Sequence, residues 1–341
     1  MNGLSQEVDE KLHEVSQLSN EQRKQYFKDA LIRHPMLNVI AAKIDRLLNS
    51  ERNQRIVLLV GPAGVGKSVV CKYSVDEVTK RYFSTEKNDK QTIPAILVEA
   101  NAPESGGFDW RLLYADSVEA MHGPLVDNSI SLARRAIHGK FVDVPDFSAR
   151  PGTLKALRTR FYSVVEQRKT TNVFIDEGSN ILSTDNSQSL LRQANVLKTI
   201  VNKTNIRIVL AGAYDLFVLA TKSGQLARRT AIVHFEPYSM QSIKDFTKAL
   251  VSLQEYLPFY PPVSLEPFAS DLFSSSQGCV GNLKDVLYDA VDRAIDANTT
   301  ITKELLSDSY LAPEQIKQLR SEMYAGYKKV TGRPHPDDNK K

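Results

Sequence analysis

Residues 56–68 read Ile-Val-Leu-Leu-Val-Gly-Pro-Ala-Gly-Val-Gly-Lys-Ser, and this stretch decides the fold. The five apolar residues Ile56–Val60 predict a buried strand of a parallel sheet. The strand leads into a Gly-x-x-x-x-Gly-Lys-Ser motif, whose glycines allow backbone N–H groups to surround a phosphate. A helix is predicted from Val69 onward, and its N-terminus favours the same anion. Together these features indicate a site for a nucleoside triphosphate.

The motif also assigns roles to individual side chains. Lys67 is expected to contact the β- and γ-phosphates of ATP, and Ser68 is expected to ligate Mg²⁺. ATP and Mg²⁺ are therefore the expected cofactors. The residues expected to bind the nucleotide are Gly61, Pro62, Ala63, Gly64, Val65, Gly66, Lys67, Ser68 and Val69.

Composition excludes several classes of protein. The chain has 341 residues, of which 42% are hydrophobic and 25% charged, as in ordinary soluble proteins of about two domains. No apolar run reaches the length of a membrane span, and residues 1–10 do not resemble a secretory signal, so we expect a cytoplasmic protein with no membrane partner. Cys71 and Cys279 are too few for a disulfide framework. The net charge of +4 permits nucleic-acid binding without requiring it.

Helical patterns alternate with short apolar strands over the first two thirds of the chain. This alternation predicts an α/β fold with a parallel, doubly wound sheet, preceded by N-terminal helices and followed by a small all-helical lid domain. Residues 122–152 contain many glycines and prolines and are predicted to be irregular. Further strands are predicted at 93–100, 172–175 and 206–210. The predicted domains are an N-terminal helical segment (1–50), an α/β ATPase core (51–239), a helical lid (240–325) and a basic disordered tail (326–341).

An acidic pair follows the strand predicted at 172–175. Ligands bind open α/β sheets at the carboxyl ends of their strands, where Asp176 and Glu177 would lie. Asp176 is expected to ligate Mg²⁺, directly or through water, and Glu177 to polarise the water that attacks the γ-phosphate. With the phosphate-binding motif upstream, the pair predicts ATP hydrolysis to ADP and phosphate.

Three further positions are candidates for sensing the γ-phosphate. Arg228, with Arg229 as second choice, can act on the nucleotide of a neighbouring subunit, and a solvated arginine pair is the alternative. Tyr214 follows the strand predicted at 206–210 and is either a sensor or a packed aromatic residue. Lys284 follows a glycine-rich entry into a helix and is either a lid sensor or a surface lysine.

Residues 131–170 concentrate positive charge. Nine basic and three acidic residues give this segment a net charge of +6, which exceeds the +4 of the whole chain. Such a segment suits sequence-independent contacts with a phosphate backbone, although a solvated basic face or a subunit interface would look the same. The DNA-binding candidates are Lys140, Arg150, Lys155, Arg158 and Arg160.

The order of these motifs resembles that of the AAA+ ATPases and, more narrowly, the TniB and TnsC group of DNA-transposition proteins, with the Mu B protein more distant. Besides the phosphate loop and the acidic pair, the resemblance rests on Arg33-His-Pro35, Leu210–Leu216, Leu226-Ala-Arg-Arg229 and Gly278–Leu287. It covers about residues 30–310. Ala213 departs from it, because the family usually has a hydroxyl-bearing residue there.

The resemblance implies a function. In that family ATP binding drives assembly of rings or filaments on duplex DNA, and the oligomer links a TniQ-like target selector to the transposase. It implies that ATP lies between subunits, with Lys67, Ser68, Asp176 and Glu177 from one subunit and Arg228 from the next. Two alternatives share the nucleotide motifs: a replication-type AAA+ loader, and a signalling ATPase that acts without DNA.

Overall fold

A computed structural model of the chain describes most of its residues. The described ranges are 6–51, 53–87, 89–104, 106–123, 132–137, 140–145, 153–183, 187–221 and 224–338. The strands are β1 (Ile56–Val60), β2 (Ala95–Glu99), β3 (Leu132–Ile137), β4 (Lys140–Pro145), β5 (Asn172–Asp176), β6 (Arg207–Gly212) and β7 (Thr230–His234).

Five strands form a parallel sheet in the order β2-β5-β6-β1-β7. β1 pairs with β6 so that Leu58 lies opposite Leu210, and β2 pairs with β5 so that Leu97 lies opposite Phe174. All five residues of β1 are buried, as a strand with neighbours on both sides and helices over both faces requires. The predicted α/β fold with a parallel sheet is confirmed. The predicted strands exist, with ends that differ by one or two residues.

β3 and β4 correct the prediction that residues 122–152 are irregular. They form a separate antiparallel pair in which Leu132 lies opposite Pro145 and Ile137 opposite Lys140. The glycines and prolines that suggested irregular chain lie between and beyond the two strands or, as Pro145 does, at a strand end. The apolar and polar residues within each strand alternate weakly, so the turn signals dominated the sequence pattern.

The helices precede, interleave with and follow the strands. The N-terminal capping box predicted at Ser19 is present, and the Ser19 hydroxyl accepts a hydrogen bond from the Gln22 N–H. The helices are α1 (Gln6–Ser16), α2 (Asn20–Asp29), α3 (Pro35–Leu48), α4 (Lys67–Thr85), α5 (Trp110–Ala120), α6 (Leu154–Gln167), α7 (Ser187–Thr204), α8 (Phe217–Thr221), α9 (Gly224–Ala227), α10 (Ile243–Gln254), α11 (Ala269–Ser276), α12 (Val280–Asp296), α13 (Lys303–Asp308) and α14 (Pro313–Thr331).

The chain divides into two compact units that cut across the predicted domains. The helical unit comprises Met1–Ala42, Gly61–Val69 and His234–Lys341, and the sheet unit comprises Lys43–Val60 and Val70–Val233. The N-terminal helices do not form a segment of their own, because Phe27 of α2 lies fully buried in one core with apolar side chains of α10–α12. The phosphate loop also belongs to the helical unit.

The tail predicted to be disordered from residue 326 is ordered up to Asp338. α14 continues to Thr331, and beyond it the His335 ring stacks on Tyr324 with ring centroids 4.5 Å apart and packs edge-on against Tyr327. His335 is 3% exposed. The prediction failed because the lysines and prolines of this segment suggested disorder, whereas two tyrosines one turn apart on α14 provide a surface that buries the imidazole.

Within the described ranges, no helix is both long and apolar enough to cross a bilayer.

Candidate nucleotide site

The phosphate loop has the curled backbone that its glycines predict. Gly64 and Gly66 have φ angles of +71° and +107°, which side chains with a Cβ rarely adopt. The Lys67 ammonium, on the first residue of α4, donates hydrogen bonds to the carbonyl oxygens of Gly61 (3.1 Å) and Pro62 (2.8 Å). The lysine therefore folds back along the loop.

The start of α12 contacts this loop directly. The Gly281 N–H donates to the Gly64 carbonyl oxygen at 2.7 Å. A Cβ on Gly281 would lie 2.5 Å from that same oxygen, and a Cβ on Gly64 would overlap the Asn282 side chain. Two glycines thus allow the loop and α12 to approach at backbone distance. The glycine-rich element predicted to face the nucleotide lies against the phosphate loop.

An apolar cavity adjoins the loop within the helical unit. Its walls include Leu31 and Leu37 from the N-terminal segment, Val65 from the loop and Val280 from α12. The cavity holds about 70 Å³, and apolar walls beside a phosphate-binding loop are of the kind that contact the flat base of a nucleotide. The sequence reasoning missed these wall residues. The available signal was the Arg33-His-Pro35 segment, which leads from α2 into α3 but does not indicate a ligand.

One residue of the cavity wall, His34, is paired with the buried Tyr238. The Tyr238 hydroxyl accepts from the Met36 N–H (3.2 Å) and lies 2.9 Å from His34 Nδ1, which the Leu37 N–H also approaches at 3.4 Å. Nδ1 is therefore the acceptor, and the proton of the neutral ring is on Nε2. Burial lowers the pKa of His34 to about 4 and raises that of Tyr238 to about 12, so both groups are uncharged near neutral pH.

Lys284 is neither a simple surface lysine nor positioned by a carboxylate. Its ammonium donates to the carbonyl oxygens of Lys28 (2.6 Å) and Ala30 (2.7 Å) at the end of α2. Burial lowers the pKa of this lysine. Two of its three N–H groups are thus committed to the chain that leads into the cavity wall.

The acidic pair lies in the sheet unit, where β5 ends. Glu177 has a left-handed backbone (φ +49°), unusual for a non-glycine residue, and its N–H donates to Asp176 Oδ1 at 2.9 Å. The left-handed turn leaves the Glu177 side chain exposed. Because β5, β6 and β1 are parallel and adjacent, Asp176 and the end of β1 lie at one edge of the sheet. Carboxylate oxygens such as those of Asp176 are ligands that Mg²⁺ prefers.

A polar pair joins the turns after β5 and β6. The Ser179 hydroxyl donates to Asp215 Oδ1 (2.6 Å) and accepts from the Ala213 N–H (2.9 Å). Tyr214 itself is 8% exposed, which fits the packed aromatic alternative. Ser179 and Asp215 therefore supply polar groups beside the position where Ala213 lacks a hydroxyl. The sequence reasoning missed them, because the two residues are 36 positions apart.

Arg228 and Arg229 lie at the opposite edge of the sheet, in the turn before β7. They line a cleft of about 900 Å³ together with two further cations, Arg55 and Lys198. Arg55 donates to the Asn205 carbonyl oxygen at 2.9 Å and to its side chain, and Arg229 donates to the Asn202 side chain. No carboxylate is present among the described lining residues. Amide oxygens orient these guanidinium groups without neutralising them, so the cleft favours anions.

The DNA-binding candidates are only partly described. Lys155 and Arg158 are exposed one turn apart on α6, and Arg160 is half-buried. Arg150 and the side chain of Lys140 lie outside the described residues. Some charge of this segment is structural, because Arg168 donates to the carbonyl oxygens of Met121 (3.1 Å) and His122 (2.9 Å).

Comparisons with known proteins agree with this architecture. Residues 50–219 match the family described as AAA domain. The chain is similar in structure to the ORC2 protein of Aeropyrum pernix, solved in ADPNP and ADP complexes, with a TM-score of 0.54 and 15% identity over 91% of this chain and 85% of that one. It is also similar to the Hsp104–ADP complex of S. cerevisiae, with a TM-score of 0.51 and 14% identity over 92% of this chain and 51% of that one. No curated protein matches the sequence.

Proposed function

Residues 50–219 form an AAA-type P-loop ATPase domain, and from this premise we propose that the chain hydrolyses ATP to control its own assembly on duplex DNA. The observation that carries the proposal is the placement of the acidic pair. The phosphate loop follows β1 directly. Asp176 ends β5 at the edge of the sheet where β1 also ends, and Glu177 is the next residue. Binding and hydrolysis of a triphosphate need both halves.

A few residues bind ATP and promote its hydrolysis. Lys67 and the loop N–H groups bind the phosphates, and the Lys67 ammonium exchanges its two loop carbonyls for phosphate oxygens. Ser68 and Asp176 would hold Mg²⁺, and the ion would supply positive charge to the phosphates. Glu177 accepts a proton from the attacking water. Its exposed carboxylate, held in a left-handed turn, supports this role.

Assembly follows from the cationic cleft around Arg228. A cleft at one edge of the sheet and a nucleotide at the other suit head-to-tail contacts between copies, which build rings or filaments. In this arrangement Arg228 contacts the γ-phosphate bound by the neighbouring copy, so that only the ATP-bound state holds the assembly together. Support for DNA transposition, with a transposase and a TniQ-like selector as partners, comes from the sequence resemblance and the basic segment.

Assembly on DNA is tested by sedimentation of the full chain with a slowly hydrolysed ATP analogue, with and without duplex DNA. We expect large oligomers that need both the ATP analogue and DNA and that dissociate as the salt concentration rises. Fewer oligomers should form when Lys155 and Arg158 are both changed to glutamine. Oligomers that form equally well without DNA would contradict assembly on duplex DNA and would favour a signalling ATPase. Adding the purified transposase distinguishes a transposition regulator from a replication-type loader, because the oligomers of a loader would not bind the transposase.

The proposed action of Arg228 on the neighbouring copy is tested by mixing two variants. Arg228→Ala is expected to lower ATP turnover about 1,000-fold without weakening ATP binding, because a trans-acting arginine stabilises charge in the transition state. Arg229→Ala is the matched control and is expected to cost far less, because Arg229 is held by Asn202. A mixture of Arg228→Ala with Lys67→Ala chains should recover part of the activity, since some interfaces then combine two intact halves. Activity that stays absent in the mixture contradicts a shared site.

A further inference from the structure

Lys284 connects three parts of the helical unit. It lies on α12 three residues after Gly281, and therefore on the same helix face. Gly281 contacts the phosphate loop, with 2.7 Å between its N–H nitrogen and the Gly64 carbonyl oxygen. One turn later the Lys284 ammonium binds the carbonyl oxygens of Lys28 and Ala30. A single face of α12 thus holds both the phosphate loop and the end of α2.

The two carbonyl groups are ones that the helix itself leaves without partners. The last carbonyls of an α-helix have no intrahelical donor, and a cation near them also favours the helix dipole. The chain then continues directly into Leu31 and Ile32, which with His34 line the cavity beside the loop. Leu31 is 63% exposed, so packing alone does not hold it in place. Ile32, in contrast, packs in the buried core of the helical unit, so it is the position of Leu31 that depends on how the turn at Ala30 is fixed.

We propose that Lys284 is a positioning residue for the nucleoside, and not a sensor of the γ-phosphate. Its ammonium fixes the turn after α2 and so holds the exposed wall residue Leu31 against the base and ribose of the nucleotide. This proposal rests on the proposed function, because it presupposes that the cavity takes a nucleotide. It assigns Lys284 to the part of the ligand that ATP and ADP share.

A role as γ-phosphate sensor conflicts with the hydrogen bonds that the Lys284 ammonium makes. A contact between Lys284 and a γ-phosphate that used the present donors would take the ammonium away from the Lys28 and Ala30 carbonyls. The Ala30 carbonyl is half-buried, and the loss of its donor is costly. The two roles also differ in what they discriminate. A phosphate sensor distinguishes ATP from ADP, whereas a wall-positioning residue affects both nucleotides equally and leaves the binding of a bare triphosphate chain unchanged.

Lys24 provides a matched control for helix docking. Its ammonium, also on α2, lies 2.8 Å from Asp292 and 2.6 Å from Asp296 of α12. Lys24→Met therefore removes ion pairs between the same two helices without touching the turn at Ala30. If Lys284 served only to dock α2 on α12, the two variants would behave alike.

The test is calorimetric binding of ATP, ADP and inorganic tripolyphosphate to the full chain. Lys284→Met is expected to lower the affinities for ATP and ADP by the same factor, about tenfold. The variant loses one or two charge-assisted hydrogen bonds, and only part of that free energy appears in nucleotide binding, because the rest lowers the stability of the fold. Tripolyphosphate affinity should not change. Lys284→Arg should retain most of the nucleotide affinity, and Lys24→Met should retain all of it.

Several results would overturn the inference. A loss confined to ATP would make Lys284 a phosphate sensor, and an equal loss for tripolyphosphate or in Lys24→Met would make its role general docking. Unchanged affinities would also reject the inference. If Lys284→Met does not fold, Leu31→Ala tests the same wall at an exposed residue and should weaken ATP and ADP alike. Failure of the unmodified chain to bind either nucleotide would reject the proposed function itself.

Discussion

Replacing Glu177 by glutamine is expected to lower the rate of ATP hydrolysis about 1,000-fold, since a positioned general base contributes roughly 10²- to 10⁴-fold. Glutamine preserves the size of the side chain and can adopt the same turn, but it cannot accept the proton of the attacking water. ATP binding should be unchanged, because Glu177 is not expected to contact the phosphates. Steady-state phosphate release and calorimetric ATP binding measure the two quantities separately.

Glu99 provides the matched control for this variant. It is the last residue of β2, lies opposite Asp176 in the sheet and is exposed. Glu99→Gln therefore removes one carboxylate from the same edge of the sheet and should leave turnover within about twofold of the unmodified chain, since it removes no group that acts on the reacting atoms. If Glu177→Gln retains normal turnover, Glu177 is not the base. If both variants lose turnover equally, the loss reflects the total negative charge at the edge of the sheet where β2 and β5 end, and not a specific role of Glu177.

The Glu177→Gln variant also separates assembly from hydrolysis. It should hold ATP without consuming it, and the proposed oligomers on DNA should then persist with ATP itself instead of a slowly hydrolysed analogue. Disassembly at the normal rate in this variant would contradict the proposal that hydrolysis ends the assembled state. The measurement is sedimentation over time after ATP is added.

Lys67→Ala is expected to weaken ATP binding by at least about 100-fold, because it removes two or more charge-assisted hydrogen bonds of about 1.5–3 kcal/mol each. The loop glycines and the N-terminus of α4 remain, so residual binding should reflect the backbone N–H groups alone. Turnover and ATP-dependent assembly should both be lost. Calorimetry with ATP and Mg²⁺ measures the change in affinity.

Lys72, which is exposed on the same helix, is the control. Lys72→Ala removes an equal charge five residues along α4 and should leave the affinity unchanged within about twofold, because exposed charges at this separation are largely screened. A melting curve of Lys67→Ala completes the test, since the ammonium also binds the carbonyls of Gly61 and Pro62. A loss of ATP affinity that is matched by general unfolding would not support a phosphate contact.

Local sequence predicted the elements and the identity of the nucleotide loop. The run Ile56–Val60 has no polar residue, which favours a strand buried on both faces, and β1 is fully buried. Glycines at 64 and 66 predicted backbone angles that other residues avoid, and those angles are present. These predictions succeeded because each depends on the chemistry of a few consecutive residues. The antiparallel pairing of β3 with β4 and the order of residues 326–338 were missed where turn residues and charge masked weak apolar patterns.

Only the tertiary structure brought distant residues together. It placed the Lys284 ammonium on carbonyls 254 and 256 positions away. It paired Ser179 with Asp215, and gathered Arg55, Lys198 and Arg228 around one cleft. The physical reason is that a helix or strand forms from local propensity and periodicity, whereas the partner of a lysine or a serine is set by how those elements pack. The sequence by itself thus determined that this protein has a phosphate-binding loop on a parallel sheet, and the packing decided what surrounds that loop.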